Sequence, residues 1–258
     1  MTAVEICIAL LSGGVVGLVL GLVGGGGSIL AVPLLVYAVG VQSTHAAIGT
    51  AAVAVALNAL AGLAAHMRMG EIKWRCAMVF AAAGAAGAAL GAELGKSFDG
   101  ERLLTLFGGL MILVGLSMLR KHRGEDRPDV RLTRQSAPAL LVRLLPIGFA
   151  VGLAAGFFGI GGGFLIVPGL IAATAMPLSV AVGTSLVVVG VLGFTTAASY
   201  AFSGFVDWQL TALLVAGGIA GAWAGARLAR RLAARKALLE RIFAAIVILA
   251  GVYVVMPG

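Results

Sequence analysis

A chain of 258 residues that is 61% hydrophobic and 11% charged has too little polar surface to cover a soluble globule of its size. The net charge of +8 would suggest nucleic acid in a soluble protein, but here Lys and Arg fall between long apolar runs, where they orient a membrane protein. A soluble fold is thereby excluded, and an all-α polytopic membrane protein is expected.

The first apolar run, 3–23, contains Glu5, and no Lys or Arg precedes Arg68. It lacks the basic n-region of a secretory signal and is expected to stay in the mature protein. Further spans are expected at 45–65, 76–95, 103–119, 139–158, 178–199, 209–226 and 242–256, several close to the ~20 residues that cross ~30 Å of hydrocarbon. Two more apolar runs, 28–40 and 163–175, are too short to cross. Cys7 and Cys76 show no Cys-x-x-Cys spacing and no His cluster beside them, so neither a metal site nor a redox pair is read.

The chain repeats itself. Gly17-Leu18-x-x-Gly21-x-x-Gly24-x-Gly26-Gly27 through Pro33 recurs as Gly152-Leu153-x-x-Gly156-x-x-Gly159-x-Gly161-Gly162 through Pro168, at an offset of 135. After a one-residue slip the offset is 134, pairing Gly49-Thr50 with Gly183-Thr184, Trp74 with Trp208, and Gly84, Gly87 and Gly91 with Gly218, Gly221 and Gly225. A period this long is the two-fold repeat of transporters, in which the symmetry brackets a binding site. The halves are read as 1–120 and 139–258, joined by the basic linker 121–138, where Pro128 disfavours helix.

All but Lys96 and Arg102 of the 18 Lys and Arg residues lie in three connections, 68–75, 120–143 and 227–241. The positive-inside rule makes these cytoplasmic. The basic 66–75 connection corresponds in the repeat to 200–208, which has no Lys or Arg, and the sparse 96–102 connection corresponds to the basic 227–241. Equivalent loops then face opposite sides, which makes the fold an inverted-topology two-fold repeat with both termini outside. The same logic folds 3–23 with 28–40, and 139–158 with 163–175, into hairpins entering from opposite faces, broken or re-entrant, whose Gly-rich tips point toward each other with the anion expected between them.

Those tips, Gly24-Gly25-Gly26-Gly27-Ser28 and Gly159-Ile160-Gly161-Gly162-Gly163, would expose unpaired backbone groups if set in lipid, at several kcal/mol each. Irregular backbone survives at depth only against protein or a water-filled cavity. A helix starting after such a break turns its free N–H groups and positive dipole end toward the cavity, which suits an anion. Pro33 and Pro168 are expected in the first turn of those helices. Glycines spaced by four, such as Gly17 and Gly21 or Gly152 and Gly156, instead fit close helix packing. Neither run has the Gly-Lys-Ser/Thr of a P-loop.

The doubled Gly-x-x-Gly-x-Gly-Gly-Gly-x-x-x-x-Pro element, Gly49-Thr50, Gly183-Thr184-Ser185 and the Gly204-x-x-Asp207-Trp208 step resemble the sulfite exporter TauE/SafE family of membrane anion permeases. The resemblance covers most of both halves. It implies a bacterial inner-membrane protein that moves sulfite, sulfoacetate or a related small sulfur-containing anion, usually outward. The first half departs from the doubled pattern, with Glu71 and Lys73 at the positions of Phe205 and Asp207, and Ser28 at that of Gly163.

Thr50, Asn58, Thr184 and Ser185 sit within or near the start of spans adjoining the tips and are candidate donors to a bound oxyanion; hydrogen bonds between or within helices are the competing account. His45, His66 and Glu93 are candidates for proton coupling, although all three lie near span ends and fit an interfacial position as well. Trp74 and Trp208 read as interfacial anchors.

The expected function is alternating-access export of a small anion held at helix N-termini near the midplane; an anion channel or importer of the same fold is the alternative. No catalysis, cofactor or metal is expected. Ser28 has no histidine in the other half to act as its base. The partners are the anion and the bilayer, not nucleic acid. Glycine faces pack within and between chains alike, so the oligomeric state is left open.

Overall fold

The computed structural model describes residues 3–67, 72–119, 137–159, 163–231 and 236–256. The basic linker, up to its last two residues, lies outside them, as do Gly161 and Gly162 of the second tip. Every regular element among the described residues is helical. Helix α1 (Ala3–Val23) leads into a 3-10 segment (Gly24–Leu30), the short α2 (Ala31–Pro33) and a π-type turn (Leu34–Ala38). Then come α3 (Thr44–Met67), α4 (Trp74–Lys96) and α5 (Gly100–Leu119). The second half contributes α6 (Ala137–Phe157), α7 (Gly163–Thr174), α8 (Leu178–Phe202), α9 (Trp208–Arg231) and α10 (Lys236–Val255).

Seven of these helices are long and apolar enough to cross a membrane: α1, α3, α4, α5, α6, α8 and α9. In α10 the apolar stretch is Ala244–Val255. The two apolar runs expected to be too short are 12 residues each, Gly27–Ala38 and Gly163–Thr174, about 18 Å as helix. Both expected proline positions shift. Pro33 ends α2, and Pro168 lies well inside α7, where a missing N–H leaves the carbonyl four residues back without its helical donor.

Helices α3 and α8 form the core, with Ala51, Ala52, Ala56, Leu186, Val188, Val189 and Leu192 buried along them. They run in opposite directions, since Gly49 meets Tyr200 and Gly62 meets Leu186. Two glycine seams pack outer helices against this core. On α1, Gly13, Gly17 and Gly21 lie on Leu214, Gly218 and Ala222 of α9, so the two run the same way. On α6, Gly148, Gly152 and Gly156 lie on Phe80, Gly84 and Ala88 of α4, again in the same direction. A Cβ at Gly17 or Gly152 would fall inside the backbone of Gly218 or Gly84, so backbone meets backbone, the arrangement small residues permit in membranes. Helices α5 and α10 pair in opposite directions through Gly108 and Gly251, with Gly115 against Ala244.

Each half therefore supplies its first helix to the fourth helix of the other. The spaced glycines are packing elements, as the reading of their four-residue spacing anticipates.

Candidate functional site

Both hairpin tips turn on a glycine with positive φ, Gly24 at 73° and Gly159 at 65°, a conformation that costs other residues strain. A Cβ at Gly24 would lie 2.9 Å from Val182 Cγ1 and 3.0 Å from Ser185 Oγ. One at Gly159 would run into Ile48. Ile48 and Val182 are repeat counterparts, so each tip docks on the opening turns of the core helix from the other half. Because α3 and α8 are antiparallel, those docking points lie toward opposite ends of the pair, about 25 Å apart at 1.5 Å per residue. The tips do not face one another across the midplane. What passes side by side is the chain after each tip, the 24–30 segment and α7.

Of the first tip, Gly27 packs back on Val16 and Leu20 of α1, and Ser28 is fully buried. Gly25 and Gly26 lie in the same 3-10 segment. Gly163, also buried, opens α7.

The threonines answer to the repeat. Thr50 Oγ1 accepts the backbone N–H of Asp207 at 3.0 Å, and Thr184 Oγ1 accepts that of Lys73 at 3.1 Å. Asp207 and Lys73 are the residues before α9 and α4, so each half clamps the start of the other half's fourth helix, where backbone donors are otherwise unpaired. Asp207 adds its own cap, its Oδ1 accepting the Leu210 N–H at 2.9 Å. Lys73 makes no side-chain cap. Ser185 Oγ donates to the Val182 carbonyl at 2.8 Å and lies against Gly24. Ser185 thus flanks the first tip, with Thr184 its neighbour in the chain, and Thr50 sits two residues from the Ile48 that flanks the second.

Asn58 is elsewhere. Its Nδ2 donates to the Leu214 carbonyl of α9 at 3.4 Å, its amide lies on Gly218, and its Oδ1 has no protein partner. The repeat counterpart, Leu192, lies on Gly84 in the same way. Asn58 therefore occupies a packing position between α3 and α9 and is not brought to either tip.

The three ionisable candidates separate. The His66 Nδ1–H donates to the Gly62 carbonyl of its own helix at 3.0 Å. His45 and Glu93 come together at the other end of α3, where they join Lys96, Ser199, Tyr200 and Ser203. Lys96 Nζ donates to Glu93 Oε1 at 2.7 Å and Ser203 Oγ at 2.9 Å, and the Ser199 hydroxyl donates to Glu93 Oε1 at 2.9 Å. Lys96 and Tyr200 escape a reading that searches spans for isolated charges. The repeat register carries a signal for Tyr200, since it places that residue opposite His66.

A sequence profile of the sulfite exporter TauE/SafE family matches residues 9–254, nearly the whole chain. The chain belongs to the TauE/SafE family. Among similar proteins, a "Probable membrane transporter protein" of Xylella fastidiosa (strain 9a5c) is 48% identical, covering 99% of this chain and 97% of its own length. The "Probable membrane transporter protein YunE" of Bacillus subtilis (strain 168) is 29% identical over 79% of this chain and 82% of its own. The "Probable membrane transporter protein MJ0441" of Methanocaldococcus jannaschii is 28% identical, with coverages of 71% and 67%. No solved structure matches the chain. The protein is a membrane transporter of this family, as the doubled glycine element implies.

Proposed function

We propose that this protein exports a small sulfur-containing anion, such as sulfite, sulfoacetate or a related organosulfonate, across a bacterial inner membrane by alternating access. The family match over both halves carries the reading. The anion is held along the chain that follows each tip, with Gly24, Gly25, Gly26, Gly27 and Ser28 and, in the second half, Gly159, Gly161, Gly162 and Gly163 as proposed backbone ligands at helix starts, and Thr50, Thr184 and Ser185 as proposed hydroxyl ligands. Two sites related by the repeat, one toward each face, replace the single midplane site of the simplest picture.

The halves, 1–120 and 139–258, are read as inverted repeats with both termini outside. Helix directions support this: α9 runs with α1 and, through the Thr50–Asp207 bond and the Asn58–Leu214 bond, with α3. Helices α4, α6 and α8 run together in the opposite sense. Export of a monoanion from a cell negative inside is favoured by ~2.3 kcal/mol per 100 mV, so a coupling proton is not required energetically.

The test is radiolabelled sulfite flux in proteoliposomes. Saturable flux stimulated by sulfite on the far side, and lost in Gly26→Leu and Gly161→Leu, is expected of a carrier. Unsaturable conductance insensitive to sulfite on the far side would make it a channel, and no flux of any sulfur anion would remove the reading.

A further inference from the structure

We propose that His45, Tyr200 and Lys96 form a separate subsite at the mouth beside Gly159, built for a small oxyanion that carries one acidic proton. The inference rests on the anion-transport reading and adds a place and a protonation state.

The starting point is two polar atoms with nothing to bond. The His45 Nε2–H donates to the Phe98 carbonyl at 3.2 Å. In the neutral ring that bond leaves Nδ1 as a bare lone pair, and Nδ1 is buried without a partner. Tyr200 is 0% exposed, and its hydroxyl also has no partner. The two rings lie with centroids 6.4 Å apart, and Phe205 closes against both at 5.5 and 6.2 Å. A phenylalanine at 200 would fill the same volume without stranding a hydroxyl, so packing alone gives no reason for the oxygen.

Charge comes from Lys96. Its Nζ is 6.0 Å from the Tyr200 ring centroid, and its side chain is only 15% exposed. Glu93 already pairs with that ammonium at 2.7 Å, and Ser203 Oγ and the Ser199 carbonyl take its other donors, so the frame is close to neutral and disfavours a dianion more strongly than a monoanion. A singly protonated oxyanion matches what is left: its O–H goes to Nδ1, and its oxygens take the Tyr200 O–H and the remaining field of Lys96. A sulfate-like dianion brings no proton for Nδ1 and meets Glu93 at close quarters. The placement suits traffic, since Ile48, on the same opening turns of α3 as His45, is the residue Gly159 docks on.

The arrangement is not a copy of one in the first half. The position of Tyr200 is there occupied by His66, whose Nδ1–H is turned to its own helix.

The experiment is calorimetric titration of the purified full-length protein with sulfite and with sulfate at near-neutral pH, above the ordinary imidazole range, where a large share of sulfite still holds a proton and sulfate holds none. Wild type is expected to bind sulfite in preference to sulfate. Tyr200→Phe is expected to unfold at the wild-type temperature or higher without ligand, and to lose about tenfold in sulfite affinity, the worth of one hydrogen bond to a charged group. His45→Phe, which keeps a ring of similar size and removes both nitrogens, is expected to lose a similar factor and decides the matter if Tyr200→Phe does not fold. Unchanged sulfite affinity in both variants, or a ligand-free Tyr200→Phe that unfolds earlier, would mean that water alone bridges these groups; the subsite would fall while the transport reading stood. Wild type that neither binds nor moves sulfite or sulfonates would overturn the transport reading and the subsite with it.

Discussion

Removing the two hydroxyl clamps separates a structural role from a ligand role. Thr50 and Thr184 are almost completely buried, and each accepts one N–H at the start of a long helix. Thr→Val keeps the shape and strands that N–H. An unsatisfied buried donor costs about 1–3 kcal/mol, but Lys73 is only half-buried and Asp207 is exposed, so water compensates and about 1 kcal/mol is expected for each. The sites lie toward opposite ends of the bundle and share no partner, so the double variant should add to about 2 kcal/mol. For a chain of this size that is roughly 4–8 °C in Tm, read by ligand-free thermal unfolding in detergent, with Thr→Ser restoring most of the loss. If both Thr→Val variants unfold at the wild-type temperature while sulfite KM rises, the hydroxyls serve the anion and not the helix starts.

Four further outcomes follow from the geometry. Gly17→Val or Gly152→Val must push α1 from α9 or α6 from α4, since a Cβ already overlaps the facing backbone; a loss of at least about 1–3 kcal/mol, seen as a collapse in folded yield, is expected. Asn58→Leu copies Leu192 and should leave sulfite KM unchanged with stability within about 1 kcal/mol, measured by flux and thermal unfolding. Lys73→Asp gives α4 the cap that Asp207 gives α9 and should raise stability by about 0.5–1 kcal/mol, whereas Asp207→Ala should cost about 1 kcal/mol. A cross-link that ties α1 to α9 through positions other than the seam glycines, in a background free of Cys7 and Cys76, should leave flux intact, while one between cysteines at Gly62 and Leu186 of α3 and α8 should stop it.

Much of this molecule is legible in its sequence because the membrane enforces simple rules. Length and apolarity give the spans, and the repeat together with the loop charges gives the two hairpins. The glycine seams are legible as packing from their spacing. What the sequence hides is which half each seam joins: Gly17 carries no mark that its partner is Gly218, because a small residue specifies closeness and not identity. Thr50 and Thr184 are visible as a repeated pair, but a hydroxyl reads the same whether it faces an anion or an amide. Asn58 looks functional by polarity and stands at the repeat position of Leu192, against Gly218 as Leu192 stands against Gly84, which only the superposed repeat reveals. Lys96 and Tyr200 are missed because each has an ordinary account alone, an interfacial cation and an interfacial ring. Their meaning arises only when α3, α4 and α8 end together.

The exchange of first helices between halves limits how any alternating access can work. Separating α1 from α9, or α6 from α4, would pull apart backbones held in direct contact through Gly17, Gly218, Gly152 and Gly84, with no side chains long enough to slide and keep contact. These seams are the stiff parts. Under the proposed alternating access the bodies that would move are composites of both halves, one built on α1, α9 and α3 and the other on α6, α4 and α8. They meet where α3 faces α8 across alanines and larger apolar side chains, Leu60 on Gly190 and Leu186 on Gly62, contacts that tolerate a shift by changing rotamer. Each hairpin tip docks on the core helix of the opposite body, Gly24 on Val182 and Gly159 on Ile48. A displacement along the α3–α8 face would carry α8 past Gly24 and α3 past Gly159, so the motion that opens the bundle is also the motion that remakes the walls of both candidate anion sites.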